Sequence, residues 1–592
     1  MVLLVYLGTD LIATWGLNLQ FGVTGVLNLA YIVEVAMGAY IYAVFTLGPA
    51  SANGGFQTYI IGLHWPIAAA IAAAVVAGAV AGGLIGLIGN RRLRPDYQAV
   101  ALLVVAVVAV TTVEADGGLF NGNAGLTLIP NPLGGTGPIS NPWGYVVLVA
   151  VLAAASYLLL RRLTDGPMGR TLRAVRDDDK VAASIGKNVI GLRIMVQCVG
   201  GAFAGLSGAL LVGFVGAWSP SAWQYIETMA LLIAVIVGGT GNNWGVALGT
   251  LIVPVAIQQG TQFIPVIGGQ AGLAEDIGWM LLGLLAIVFI WLRPDGLLAE
   301  RRPKYAPRLA QLASATAPKT PARPRGSAPT PVAAAAAAAT SVALLEARDL
   351  VVRFGGVHAV DGASWSAARG QVTGLIGPNG AGKSTVINVI SGFQRPDAGQ
   401  VLFDGKDVTG LSPEKHVHHG LVRTFQLPRG FRRLTVVENL LVAAQHQRSE
   451  TWSGVLLGRR HWGPQEEQNL GRTRDLLAMF EMADKADEYA GNLSGGQTRM
   501  LELMRTLMAD PLMLLLDEPL AGLSGRWSGI LEQALAELKA QGLSFVLVEH
   551  ELGIVERLSD TVVVMALGRV LSRGAMSDLR GNAEVQAAYV IG

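Results

Sequence analysis

The sequence predicts two parts of different class, an all-α polytopic membrane domain followed by an α/β domain. Three observations predict this. Charge is unevenly spread: 26 of the first 300 residues are Asp, Glu, Lys or Arg, against 60 of the remaining 292. Apolar runs of 18 or more residues crowd the first part, and about 20 helical residues cross a hydrocarbon core. In the second part a short β-branched run feeds a glycine-rich loop and then a helical pattern. The expected boundaries are 1–300 for the membrane domain, 301–343 for a linker and 344–592 for the α/β domain.

Composition narrows the class further. The 592 residues are 52% hydrophobic, with a formal net charge of +2 and a mean hydropathy of +0.46. A purely soluble enzyme and a disordered chain are both excluded. A nearly neutral chain gives no global sign of nucleic-acid binding. The single cysteine, Cys198, excludes an intrachain disulfide and a cysteine-based zinc site.

In the first part, apolar runs lie near 11–29, 31–49, 65–89, 97–113, 144–160, 192–217, 228–259 and 277–292. The opening MVLLVYLGTD has no positive n-region, so no cleavable signal peptide is expected. Glycines such as Gly78, Gly82, Gly201 and Gly205 would let helices approach closely. The basic residues cluster at Arg91–Arg94, at Arg161–Arg193 and at Arg293, and these stretches should face the cytoplasm. The run 228–259 is interrupted by Gly238, Gly239, Gly241 and Gly245, so two helices or one broken helix is expected. The break lies either near a translocation path or in a plain extramembrane turn. Asp10, Glu34, Glu114 and Glu227 lie in or beside the spans, where carboxylates are functional candidates. Glu34 lines a substrate path, pairs with a polar partner or packs against another subunit.

Residues 301–343 hold seven Pro, seven Lys or Arg, no acid, and the run Ala333–Ala339. This composition reads as a tether. It is either simply solvated or in contact with anionic membrane lipid, since it follows the last span directly.

The second part carries chemistry. VTGLI (372–376) leads into Gly377, Pro378, Asn379, Gly380, Ala381, Gly382, Lys383, Ser384 and Thr385, and then into a helical pattern. This is the phosphate-binding loop in its strand–loop–helix setting. Backbone N–H groups wrap phosphate oxygens, and the helix N-terminus adds a favourable dipole. Lys383 is expected on the β- and γ-phosphates of ATP, and Ser384 on Mg²⁺. A second apolar strand, LMLLL (512–516), ends in Asp517 and Glu518. Asp517 is placed to hold Mg²⁺, and Glu518 to polarise an attacking water.

Between these motifs stands Leu493-Ser494-Gly495-Gly496-Gln497. Alone it could be a helix cap. In this position it resembles the signature motif of the ATP-binding cassette (ABC) family. The resemblance implies further roles. Phe354, in VRFGGVHAVDG, matches the aromatic that stacks on adenine. Gln426, in RTFQLPRGF, matches the glutamine that senses Mg²⁺ and water. His550, in SFVLVEHEL, matches the switch histidine near the γ-phosphate. It also implies a composite ATP site, with Ser494, Gly495, Gly496 and Gln497 of one cassette completing the phosphate loop of another. One departure is Ser524, where the family usually has an acid or amide after Ala521-Gly522-Leu523.

The first part has its own resemblance. GLNLQFGVTGVLNLAYIVEVAMGAYIYA (16–43), RRLRPDYQAVALL (91–103), FNGNAGLTLIP (120–130), GPMGRTLRAVRDDDKVAASIGKNV (166–189), GGTGNNWGVALG (238–249) and WLRPDGLL (291–298) are similar to branched-chain amino acid permeases of the LivM type. The cassette resembles the LivG type through GFRRLTVVENLLVA and LVEHEL. The fold implied is a type II ABC importer-like membrane domain followed by a P-loop ATP-binding cassette. The resemblance makes 161–193 a coupling loop that docks beside Gln426, with Arg170 to Gly186 as one amphipathic helix; plain anchoring by charge is the alternative.

The function expected is that of a permease–ATPase subunit of an importer in a bacterial inner membrane, with its cassette cytoplasmic. Its substrate would be a branched-chain or other apolar amino acid. Its partners would be a periplasmic binding protein and either an identical chain or a LivH/LivF-like permease and ATPase. A urea or short-amide importer of the same build is the alternative. An exporter and a non-transporting membrane-tethered ATPase are the other classes.

Overall fold

The computed structural model describes residues 1–50, 56–90, 95–133, 142–260, 273–300, 304–315, 343–425 and 430–591. The chain divides into two compact units, Met1–Arg176 with Val189–Pro303, and Asp177–Asn188 with Lys304–Gly592.

The apolar runs of the N-terminal unit fold as helices. Among the described residues, six are long and apolar enough to cross a membrane: Val2–Val23, Ile67–Gly89, Tyr97–Ala115, Pro142–Thr164, Val189–Val215 and Pro220–Gly238. Tyr31–Thr46 and Asp276–Leu292 are shorter apolar helices. The first span begins at Val2 rather than near residue 11. It winds into a π-helical turn over Asn18–Val23, and Gly25, at φ +76°, lies beyond it. Small residues set the packing. A Cβ on Gly38 would lie 2.3 Å from the Gly205 backbone, so these two helices meet backbone to backbone.

The glycine-interrupted run 228–259 is two helices, Tyr225–Gly238 and Asn243–Thr250, the second continuing as a π-helix over Leu251–Gln259. The turn needs φ +118° at Gly239 and +81° at Gly241. Its polar groups are satisfied by protein. Gly241 N donates to Asn18 Oδ1 at 2.9 Å, and Asn18 Nδ2 donates to Asn243 Oδ1 at 3.1 Å. Asn242 caps the second helix through Trp244 N and Gly245 N. Two irregular segments therefore meet at Asn18. Glu34 is fully buried and has polar partners: it accepts from Asn28 Nδ2 at 2.7 Å and from Gln20 Nε2 at 3.3 Å.

The second unit is built on two sheets. Its strands are β1 (Ala343–Phe354), β2 (Val357–Ala368), β3 (Val372–Ile376), β4 (Ala398–Phe403), β5 (Lys406–Asp407), β6 (Leu421–Arg423), β7 (Met513–Asp517), β8 (Ser544–Val548), β9 (Thr561–Ala566) and β10 (Arg569–Gly574). One sheet has the order β2-β1-β4-β5 and is antiparallel. The other has the order β10-β9-β3-β8-β7-β6, parallel from β9 to β6. Strands β3, β7 and β8 are buried along their whole length. That explains their mostly apolar, non-alternating sequences, since a parallel sheet is covered on both faces.

Two expectations change here. Arg170 to Gly186 is not one helix but Pro167–Asp177 and Asp179–Ser184. Asp178 breaks it: its backbone is extended, and its side chain accepts from Lys180 N and Val181 N as an N-cap. The segment read as a tether begins with a helix, Ala306–Ala315, packed within the second unit. Asp487 accepts from Tyr305 N at 2.7 Å, Arg474 donates to Leu312 O at 2.9 Å, and Tyr305 and Leu309 are buried. Residues 316–342 lie outside the described residues.

Candidate functional site

Strand β3 delivers the loop 377–382 to the start of helix Lys383–Ile390. Two glycines are sterically required. A Cβ on Gly377 would lie 2.1 Å from Met565 O, and one on Gly382, at φ +94°, 2.4 Å from Ala359 O. Pro378, Asn379, Gly380 and Ala381 complete the loop. Lys383 turns its ammonium back onto it, donating to Gly377 O at 2.7 Å and Pro378 O at 2.9 Å. Burial pushes this ammonium below its usual pKa, while Glu518 and Asp517 act in the opposite direction. Ser384, which is exposed, and Thr385 open the helix at the mouth of the loop. The loop thus offers backbone N–H groups, a lysine and a hydroxyl to an anion.

Asp517 ends β7 and is buried. Its Oδ2 lies 3.1 Å from Arg423 Nη2. Burial pushes the Asp517 carboxyl up, and Arg423 counteracts it. Arg423 also donates to Asn388 Oδ1 on the helix that follows the loop and to Ser391 Oγ at its C-cap, with the Phe393 and Phe425 rings beside it. Glu518 follows in the left-handed region at φ +50°. Its Oε1 is 2.9 Å from His550 Nε2. The parallel pairing of β7 with β8 accounts for this, because Asp517 sits opposite Val548, two residues before His550. The sheet therefore brings Lys383, Asp517, Glu518 and His550 to one end.

Ser494 caps helix Gly495–Met508 in a capping box with Gln497. Ser494 and Gly495 are exposed, and Gly496 lies under Trp527, where a Cβ would stand 2.7 Å from the ring. These residues bond within their own helix start, not to the loop at 377–382 of the same chain. Phe354, at the end of β1, is 53% exposed, which leaves its ring open to a flat ligand. Gln426 lies outside the described residues. Ser524 is at the N-terminal boundary of helix Gly525–Ala540 and makes no side-chain cap bond there.

The segment Asp177–Asn188 is held within this same unit. Lys187 Nζ donates to Glu450 Oε1 at 2.7 Å and to Ala444 O at 3.1 Å. Gln445 Nε2 donates to Ile185 O at 2.8 Å, and Arg433 N to Asp177 Oδ2 at 2.9 Å. A cavity of about 360 Å³ is lined by Asp177, Asp178, Gly430, Arg432 and Leu493.

Comparison with known proteins matches both parts. Residues 360–521 match the family model described as ABC transporter. Residues 2–290 match that described as branched-chain amino acid transport system / permease component. The probable branched-chain amino acid transport ATP-binding protein LivG of Methanocaldococcus jannaschii is 38% identical over 243 residues, 41% of this chain and 92% of that protein. The chain belongs to the branched-chain amino acid ABC transporter family. LivG of Escherichia coli is 38% identical, over 42% of this chain and 97% of that protein. BraF of Pseudomonas aeruginosa, a high-affinity branched-chain amino acid transport ATP-binding protein, is 36% identical over the same shares. This ABC transporter chain fuses a permease part to an ATP-binding part.

Several residues that the structure ties to the candidate site carry no distinguishing mark in the sequence. Arg423 precedes Gln426 by three positions, yet nothing in LVRTFQ shows that it pairs with Asp517, 94 residues later. Arg499 and Glu502 stand three apart on the signature helix, a spacing that permits an ion pair but is common on surface helices. Lys187 sits among the other basic residues of its loop, and its partner is 263 residues away.

Proposed function

We propose that this chain is the fused permease–ATPase half of an importer that couples ATP hydrolysis to inward movement of branched-chain or other apolar amino acids. One observation carries the reading. In a chain whose first part belongs to a permease family, Glu518 and His550 stand 2.9 Å apart beside the loop that holds Lys383.

The residues divide the work. Backbone N–H groups of 377–385 and the Lys383 ammonium bind the ATP phosphates, and Phe354 stacks on the base. The donor set at Ser384, Asp517 and Gln426 fits Mg²⁺, which when bound neutralises phosphate charge. Glu518 accepts a proton from the attacking water. His550 holds the Glu518 carboxylate in line and faces the γ-phosphate. Ser494–Gln497 serve the site of a second cassette, supplied by an identical chain or a sister ATPase. Asp177–Asn188 conveys cassette movement to the spans through Lys187 and Glu450. A binding protein outside the cytoplasmic membrane delivers the solute.

The test is uptake. The chain, its co-purifying partners and its binding protein are reconstituted in proteoliposomes with ATP and labelled leucine or labelled urea. Leucine uptake that Glu518→Gln abolishes supports the reading. Urea uptake without leucine uptake moves it to an amide importer. Hydrolysis with neither removes transport from the account.

A further inference from the structure

The signature helix carries a buried ion pair, Arg499 with Glu502, and the buried Arg505 acts on the same carboxylate. Arg499 and Glu502 are 4% and 1% exposed, and Arg499 Nη1 lies 3.2 Å from Glu502 Oε2. Both side chains also reach backbone. Glu502 Oε1 accepts from Phe425 N at 2.7 Å, and Arg499 Nη1 donates to Phe425 O at 2.8 Å. Both main-chain groups of Phe425 are thus clasped. Arg499 Nη2 donates to the main-chain oxygen of Glu518 at 2.9 Å.

That last bond lands on a strained residue. Glu518 is at φ +50°, a region that a non-glycine residue rarely adopts. Its N–H is fixed by Val548 O at 2.8 Å, and its carbonyl by Arg499. With both ends held, the backbone presents the carboxylate to His550. A neutral side chain in place of Arg499 would leave the Glu518 and Phe425 carbonyls without this donor.

We infer that Arg499 and Glu502 are positioning residues: the pair makes the aim of the Glu518 carboxylate depend on where the signature helix stands. Ser494–Gln497 begin that helix, so a nucleotide engaged there by a second cassette would act on Glu518 through it. The inference rests on reading Glu518 as the residue that orients water.

The test separates positioning from folding. Glu502 keeps a second buried cation, Arg505, when Arg499 is removed, so the carboxylate is not left without a counter-charge. The full chain carrying Arg499→Met is therefore assembled with its partners. Binding of a fluorescent ATP analogue and the rate of ATP hydrolysis are then measured. The expected result is unchanged analogue affinity and unchanged KM, with kcat lower by about ten- to a hundred-fold, the scale of a small misplacement of a reacting group. Hydrolysis at the unsubstituted rate would overturn the inference. Equal loss of binding and hydrolysis would also overturn it, as a structural role. Arg499→Lys keeps the charge but not the fork that reaches two carbonyls. Should Arg499→Met not fold, Arg499→Lys is read by the same two outcomes. An unsubstituted chain that does not hydrolyse ATP would instead refute the ATPase reading.

Discussion

Buried carboxylates are handled differently in the two units. In the ATPase unit, Asp517 lies against Arg423 and Glu502 against Arg499. In the membrane unit, Glu34 is held by the amides of Asn28 and Gln20. An arginine partner fixes both a position and a charge, and its fork can hold backbone at the same time. Amides fix a position without an opposite charge. The difference tracks the work. In the proposed function the cassette aims charged groups at phosphate and water. The amides around Glu34 instead join the irregular stretch after Leu17 to the helix that starts at Tyr31. At these three acids arginines hold Asp517 and Glu502 and amides hold Glu34, although the membrane unit has ion pairs of its own where Arg173 and Arg176 meet Glu300.

Four predictions test this contrast, in falling order of effect. Glu518→Gln should slow phosphate release at least about 100-fold, the usual scale for removing a general base, with nucleotide binding retained. Near-normal turnover would remove Glu518 from the mechanism. Arg423→Met leaves Asp517 buried without its cation, and should destabilise the cassette by about 3–5 kcal/mol in denaturant titration. Glu34→Gln keeps shape and some acceptor capacity, so its cost should be nearer about 1–2 kcal/mol, read as a lower thermal midpoint in detergent. A loss as large as that of Arg423→Met would break the comparison, because it would show Glu34 acting through charge.

The smallest effect concerns a buried base. His416 is 2% exposed, with Nδ1 at 3.1 Å from Ser412 O, and burial holds its pKa below the usual 6.5. The unfolded chain then binds more protons than the folded one as pH falls below 6.5. The stability from this residue is present above that pH and lost below it. His416→Gln should flatten this part of the stability–pH curve. An unchanged curve would place the dependence elsewhere.

Much of the cassette was legible because its motifs are local. The loop 377–385, the pair Asp517-Glu518 and the signature at 493–497 each declare themselves within a few residues. Parallel pairing of three buried strands then brings the loop, Glu518 and His550 together, as the mostly apolar, non-alternating runs imply. Positions whose partners are far along the chain were not legible. Arg423 with Asp517 and Lys187 with Glu450 follow from tertiary contact alone. In the membrane unit, hydropathy located the helices and glycines located the break at 238–245. It did not give the π-helical turn at Asn18–Val23, because π-helical backbone has no compositional mark there. The docked helix Ala306–Ala315 was hidden by the prolines around it. Tyr305 and Leu309, which bury against the cassette, are too few to stand out as an apolar pattern.

Direction of transport is the central claim, and it can be measured directly. Proteoliposomes are prepared with the binding protein on one side and ATP confined to the cassette side, and the movement of labelled leucine is followed. Accumulation on the cassette side is expected, lost with Glu518→Gln and absent when ATP is on the other side. Accumulation on the side opposite the cassette would contradict it.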